Sequence, residues 1–374
     1  MRTLREPVAC HRHVARPRSG VVVLIPVLAL AVGTATGADD PRPRAILKGV
    51  GDPDRCVAFS PDGTVLASGS SDGTVSLWDV ASARRRAIYK DHPGQVWCVA
   101  FSPDGKFLAC GTSGYEDSPG EVRLWDVATG RLRASLKGHT GEVRILAFSA
   151  DSERLASGGG IEGLDDAKVV QDEDGEDRLV PGGRFRDKPG ELIVWDVMRG
   201  TVRLNLKVQS DLIESVAFSL EGQTLASGSR NGNVSVWNVR DGRLRSTIRA
   251  HPRAVVFIGF GSGGKRMMTG SRDETARIWD FSSRRELAVI KVDESSGQCW
   301  AISPDGRTLA SGGFLGGAVT LWDADTGKLL QRLRGHGQTI EAVAFSPDGK
   351  ALASAENEGG VKLWDVDPNR RHDP

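Results

Sequence analysis

The chain has 374 residues, with 49 Lys and Arg against 48 Asp and Glu, and a formal net charge of +1 at pH 7. That balance gives no bulk reason to expect nucleic-acid binding, and regularly spaced apolar residues exclude a disordered chain. Length alone suggests two or three domains, but a repeat running through most of the sequence overrides that prior.

The N-terminus opens with Arg2, Arg5, Arg12, Arg16 and Arg18, followed by an apolar run from Val21 to Val32 and the small residues GTATGA. A basic region, a short apolar core and a small-residue exit describe a secretory signal peptide over residues 1–38, cut between Ala38 and Asp39. An uncleaved N-terminal anchor is the alternative reading. The run is short for a bilayer span and contains Pro26. The expected location is therefore exported, periplasmic or extracellular, with membrane attachment only if the segment is retained.

From Val57 to Val80 the sequence reads VAFSPDGTVLASGSSDGTVSLWDV, and its ending returns at Trp78, Trp125, Trp195, Trp237, Trp279, Trp322 and Trp364. Seven of the nine tryptophans occupy this one position, and most are 42 or 43 residues apart. A period of about 40 residues with a Trp-Asp ending indicates four-stranded propeller blades. Ser-Pro-Asp-Gly recurs at Ser60, Ser102, Ser303 and Ser346, where Pro presets φ and Gly accepts positive φ in a tight turn. Degenerate turns stand at Ser149 (SADS), Ser219 (SLEG) and Gly261 (GSGG). The C-terminus ends one strand short of a complete last blade. RAILKG from Arg44 matches RASLKG from Arg133, so residues 43–48 are expected to pair with the strand ending at Trp364 and close the ring.

On these repeats the chain resembles the WD-repeat β-propellers, as an exported, bacterial-type member. The resemblance implies an all-β fold of seven four-stranded antiparallel blades over residues 39–367, with a tail at 368–374. It also implies a buried His, Ser/Thr, Asp and Trp network in a blade. Blade five has the whole set, in His251, Thr269, Asp273 and Trp279. His92, His139 and His336 occupy the same His position, while the last blade departs from the pattern with ENEGG at its turn. A structural role for these histidines follows from their common place in four blades.

The repeat is broken twice, in blade two around Tyr115–Pro119 and in blade three by about 28 extra residues within 160–189. Lys168–Gln171 and Arg178–Val180 are expected to form a hairpin with an acidic tip at Asp172–Asp177. Clustered carboxylates can bind calcium, but the calcium-loop spacing is absent, so partner contact or a plain surface hairpin is the competing reading. In WD-repeat proteins the starts of the innermost strands line the mouth of the central channel. Here they read Arg55, Trp97, Arg144, Glu214, Val256, Gln298 and Glu341. Arg and Trp are enriched at binding hot spots. The candidate partner-binding residues are therefore Arg55, Trp97, Arg144, Tyr115, Asp172, Asp174 and Glu176, with simple packing between blades as the competing reading of Trp97.

Cys56, Cys98 and Cys299 share one repeat position, suited to small buried side chains. Cys110 stands where other blades have Ser and could meet Cys98 across a hairpin to form a disulfide. No Cys-x-x-Cys pair, nucleophile elbow, phosphate loop or His-rich metal spacing occurs. No catalytic residue, cofactor or metal site is expected. The sequence reads as a monomeric, non-catalytic scaffold for a protein or peptide, without nucleic acid. The alternative is an enzyme, or a small-ligand or metal-binding propeller, using the central channel.

Overall fold

The computed structural model describes residues 42–48, 53–114, 119–160, 168–171, 177–180, 190–208, 211–261, 263–292, 296–313, 317–357 and 360–367. The expected signal segment 1–38, the tail 368–374, Tyr115, Asp172, Asp174 and Glu176 lie outside them.

Seven four-stranded antiparallel sheets follow one another along the chain. Blade one comprises Asp54–Phe59, Val65–Ser70, Val75–Asp79 and Arg84–Tyr89, from centre to edge. The innermost strands of successive blades touch, and those of blades one and seven complete the ring. The closing strand is Ala45–Leu47, paired with Gly360–Asp365 through Ala45 and Leu363, Ile46 and Lys362, and Leu47 and Val361. Leu47 is only 1% exposed and joins Trp78 and Leu363 in the core between blades seven and one. Arg44 adds an ion pair to Asp365 at 3.0 Å and a hydrogen bond to the Val80 carbonyl at 3.2 Å. The last sheet edge is thereby paired rather than left open to other chains.

The repeated phrase explains each blade locally. VLASGS is buried along its whole length because both faces of that strand are covered by neighbouring blades. Each Trp packs toward the blade before it: Trp125 sits with Leu77 and Tyr89 of blade one, and Trp195 with Leu124 and Leu136 of blade two. In the Ser-Pro-Asp-Gly turn, Ser60 Oγ donates to Asp62 Oδ1 at 2.6 Å and accepts from Val65 N at 2.9 Å, while Gly63 takes φ 71°. The Asp after Trp pins the next turn. Asp79 Oδ1 accepts from Ser82 N at 2.8 Å and Ser82 Oγ at 2.6 Å, and Asp126 does the same with Thr129.

The blade-three insertion forms the expected hairpin, with Lys168–Gln171 paired to Asp177–Val180 as a separate two-stranded sheet. The disulfide alternative is corrected: Cys98 and Cys110 are both free. Cys98 pairs in register with Gly111, and Cys110 with Val99, so the thiols leave opposite faces of the sheet. Cys110 joins the core shared with blade one, and Cys98 the core shared with blade three. Burial pushes both thiols well above the usual range, as it does Cys56.

Candidate interaction surface at the channel mouth

The positions expected at the mouth share one backbone feature. In every innermost strand the pairing with the second strand skips a residue: between Asp54 and Cys56, Val96 and Cys98, Val143 and Ile145, Ile213 and Ser215, Val255 and Phe257, and Ile340 and Ala342. The residues left over are Arg55, Trp97, Arg144, Glu214, Val256 and Glu341. In blade six the register passes from Ser296 to Cys299, leaving both Gly297 and Gln298. A bulge releases its extra residue from the ladder and re-aims its side chain. Placed on the innermost strands, Glu341, Arg55, Trp97 and Arg144 meet across blade boundaries.

Three of them form a stack. The Arg55 guanidinium lies 5.2 Å from the Trp97 ring centroid, and that of Arg144 4.8 Å from it. Glu341 approaches Arg55 at 3.8 Å, and Glu142 holds Arg144 with bonds of 2.9 and 2.7 Å. The order across blades seven, one, two and three is therefore carboxylate, guanidinium, indole, guanidinium, carboxylate. Exposed cation–π contacts contribute about 0.5–1 kcal/mol each, more when desolvated. Trp97 Nε1 and Arg55 Nε have no hydrogen-bond acceptor among the described residues. Arg55, Trp97 and Arg144 are all partly exposed, so the stack offers flat surfaces at the mouth, while those two donors are buried within it. On the next blade, Glu214 faces Arg230 at 3.4 Å and Arg272 at 3.7 Å.

The His network recurs with three variations. In blade five, Trp279 Nε1 donates to Thr269 Oγ1 at 2.9 Å, and His251 lies 2.7 Å from Thr269 and 2.9 Å from Asp273. Burial alone would raise the Asp273 carboxyl, but hydrogen bonds from His251 and Thr275 draw it down to about 2. In blade three, Glu191 replaces the turn Asp. It lies 3.0 Å from His139 Nδ1 and accepts from Thr140 N at 2.9 Å. Against the effect of burial, these bonds bring Glu191 to about 2 as well. In blade seven, Glu356 lies 3.1 Å from His336 Nδ1 and also binds Lys362. The ENEGG segment departs from the Asp pattern as expected, and its first Glu supplies the carboxylate from a different position. Sequence reading missed Glu191 and Glu356 because both stand outside the usual Asp position; a Glu shortly before the blade Trp was the available signal.

The structure thus brings Arg55, Trp97 and Arg144 into contact and assembles His251, Thr269, Asp273 and Trp279 as one network. The second strands of blades two and three, which the insertions follow in sequence, end at Thr112 and Gly160, paired with Val96 and Glu142 next to the stack. Among the described residues no group of three His, Cys, Asp or Glu is placed to hold a metal ion. Nor is any helix among them long and apolar enough to cross a membrane.

The family model for the WD domain, G-beta repeat, matches residues 49–79, 84–126, 130–169 and 327–365. A model described as WDR54 matches residues 184–306. Ribosome biogenesis protein BOP1 from Mus musculus is 46% identical over 54 residues, and so is BOP1 from Rattus norvegicus. Each match covers 12% of this chain and only 7% of the relative's length. Repeat matches along the sequence and seven sheets in the structure agree: this chain carries WD40 repeats, folded as a seven-bladed β-propeller.

Proposed function

We propose that the chain is a non-catalytic scaffold that binds a protein or peptide at the channel mouth of blades one to three. The observation that carries this reading is the partly exposed Trp97 ring held between Arg55 and Arg144. Aromatic and guanidinium groups in a partly desolvated cluster are the usual anchors of a binding hot spot. Two arginines beside one ring suit a segment carrying carboxylates or backbone carbonyls. The repeat matches support a scaffold in general terms. From the BOP1 matches we carry over the repeat and nothing of ribosome biogenesis, given the short span. Tyr115, Asp172, Asp174 and Glu176 would extend the contact from the insertions of blades two and three.

Crosslinking and mass spectrometry on the native protein tests this. Partner crosslinks should map to the mouth, and Trp97→Ala should remove them while melting stays close to wild type. Crosslinks that map elsewhere and persist in Trp97→Ala would overturn the site. We also infer export through residues 1–38, which mass measurement of the purified native chain would check by finding Asp39 at its start.

A further inference from the structure

Charge in this propeller is sorted radially. The seven innermost strands carry Arg55 and Arg144 against Asp54, Glu142, Glu214 and Glu341. The seven outermost strands carry eleven Arg or Lys and a single acid, Glu286. Three of the basic residues belong to blade one, two each to blades two, three and four, and one each to blades five and six. In a chain of net charge +1, the outermost strands thus carry a local excess of positive charge.

Exposed apolar side chains gather on the same edge. Of the nine large hydrophobic residues exposed among the described residues, seven lie on outermost strands, and none of the nine is aromatic. Leu132, 38% exposed, stands between Arg131 and Arg133, and Leu244, 46% exposed, precedes Arg245. Charges on edge strands also hinder edge-to-edge pairing between molecules. That task is served by either sign, and exposed aliphatic neighbours work against it.

We propose that the edge of blades one and two docks on an anionic lipid surface. Arg84, Arg85, Arg86, Arg131 and Arg133 are exposed there, and neither outermost strand contains an acid. Guanidinium groups bind headgroup phosphates through paired donors, and Leu132 enters the boundary between headgroups and acyl chains. Basic residues near such a surface add affinity one by one within a Debye length. Single-stranded nucleic acid would call for aromatic stacking platforms, which this edge lacks, and a duplex backbone gives the aliphatic residues no partner.

The full chain should co-sediment with mixed phosphatidylcholine–phosphatidylserine vesicles, release with added salt, and ignore phosphatidylcholine alone. Each basic residue at the surface contributes roughly fivefold. The triple variant Arg84→Gln, Arg86→Gln, Arg131→Gln should therefore bind more than tenfold more weakly, by this estimate of about fivefold per charge. The variant with Lys at these three positions should bind like wild type, which separates loss of charge from loss of folding. Equal binding to neutral vesicles, or wild-type binding by the Gln variant, would assign attachment to another segment and overturn the proposal. So would retention of a DNA duplex by a protein that ignores the mixed vesicles.

Discussion

Trp125 donates its indole N–H to His92 Nε2 at 3.1 Å, whereas the other six blade tryptophans donate to a Ser or Thr hydroxyl. The exception has a cause in the sequence. Blade two carries Cys110 where the other blades have that hydroxyl, and the thiol is buried in the core shared with blade one. The His92 ring takes over directly, with its other nitrogen 3.0 Å from the Gly73 carbonyl. An indole can only donate and a carbonyl only accept, so His92 is neutral with its proton on Nδ1. Burial, helped by the charge of Arg123, holds it down to about 4, outweighing the Gly73 carbonyl and Asp91.

This arrangement predicts a coupling between His92 and Cys110. His92→Ala strands a buried N–H and should cost about 1–3 kcal/mol. Cys110→Ser supplies the hydroxyl found in other blades, so adding it to His92→Ala should recover part of that loss. Urea unfolding of the two single variants and the double variant measures the interaction; strictly additive effects would show that Trp125 does not depend on the exchange.

Blade count, ring closure and the blade-five network were legible because each rests on a phrase that repeats with fixed spacing. The mouth residues were legible as a column, but their meeting was not. Contact between Arg55, Trp97 and Arg144 depends on a bulge in three separate strands, and a bulge leaves no mark in residue type. Glu191 escaped notice for a related reason: the long insertion separates it from His139 by 52 positions, although they lie 3.0 Å apart.

Asp54 predicts an unusual pH dependence. It occupies a position that is Val96, Val143, Ile213, Val255 or Ile340 in other blades, it is 3% exposed, and its Oδ2 has no hydrogen-bond partner among the described residues. Burial raises its pKa to about 6; the Ser68 hydroxyl opposes the shift and the charge of Asp72 adds to it. The folded state therefore holds this proton more tightly than the unfolded chain. Its contribution to stability is present below about pH 4 and is lost as pH rises toward 6. Asp54→Asn should remove that fall and stabilise the protein at pH 7 by about 2–3 kcal/mol. Equal unfolding free energies for wild type and variant at both pH 4 and pH 7 would refute the assignment.

Ring closure predicts a strong dependence on a short strand. Leu47→Ala removes a buried side chain from the cluster that holds Trp78 against blade seven, at a cost of about 2–5 kcal/mol. Deleting residues 39–48 goes further, exposing the edge of Gly360–Asp365, and should lower the melting temperature and promote aggregation. Scanning calorimetry with light scattering checks both. Unchanged melting and solubility of the deletion would mean that closure contributes little.

Trp300 makes the last prediction, because it reshapes a blade boundary that the repeat otherwise builds from smaller side chains. It replaces the Val seen at Val57 and Val99, is 6% exposed, and lies against Gly270 of blade five. A Cβ on Gly270 would come within 2.7–2.8 Å of three atoms of the indole, which is rigid and held in the core with Met268 and Leu309. Gly270→Ala should therefore force backbone or ring displacement and destabilise by about 1–3 kcal/mol. Gly337 provides the comparison, since a Cβ there meets nothing within 4 Å. Gly337→Ala should change stability by less than about 0.5 kcal/mol, as ordinary surface substitutions do. Restoring Val at position 300 should relieve Gly270→Ala, because the smaller side chain vacates the space that the added methyl requires. A Gly270→Ala, Trp300→Val double variant no more stable than expected from the two single changes would refute the steric account.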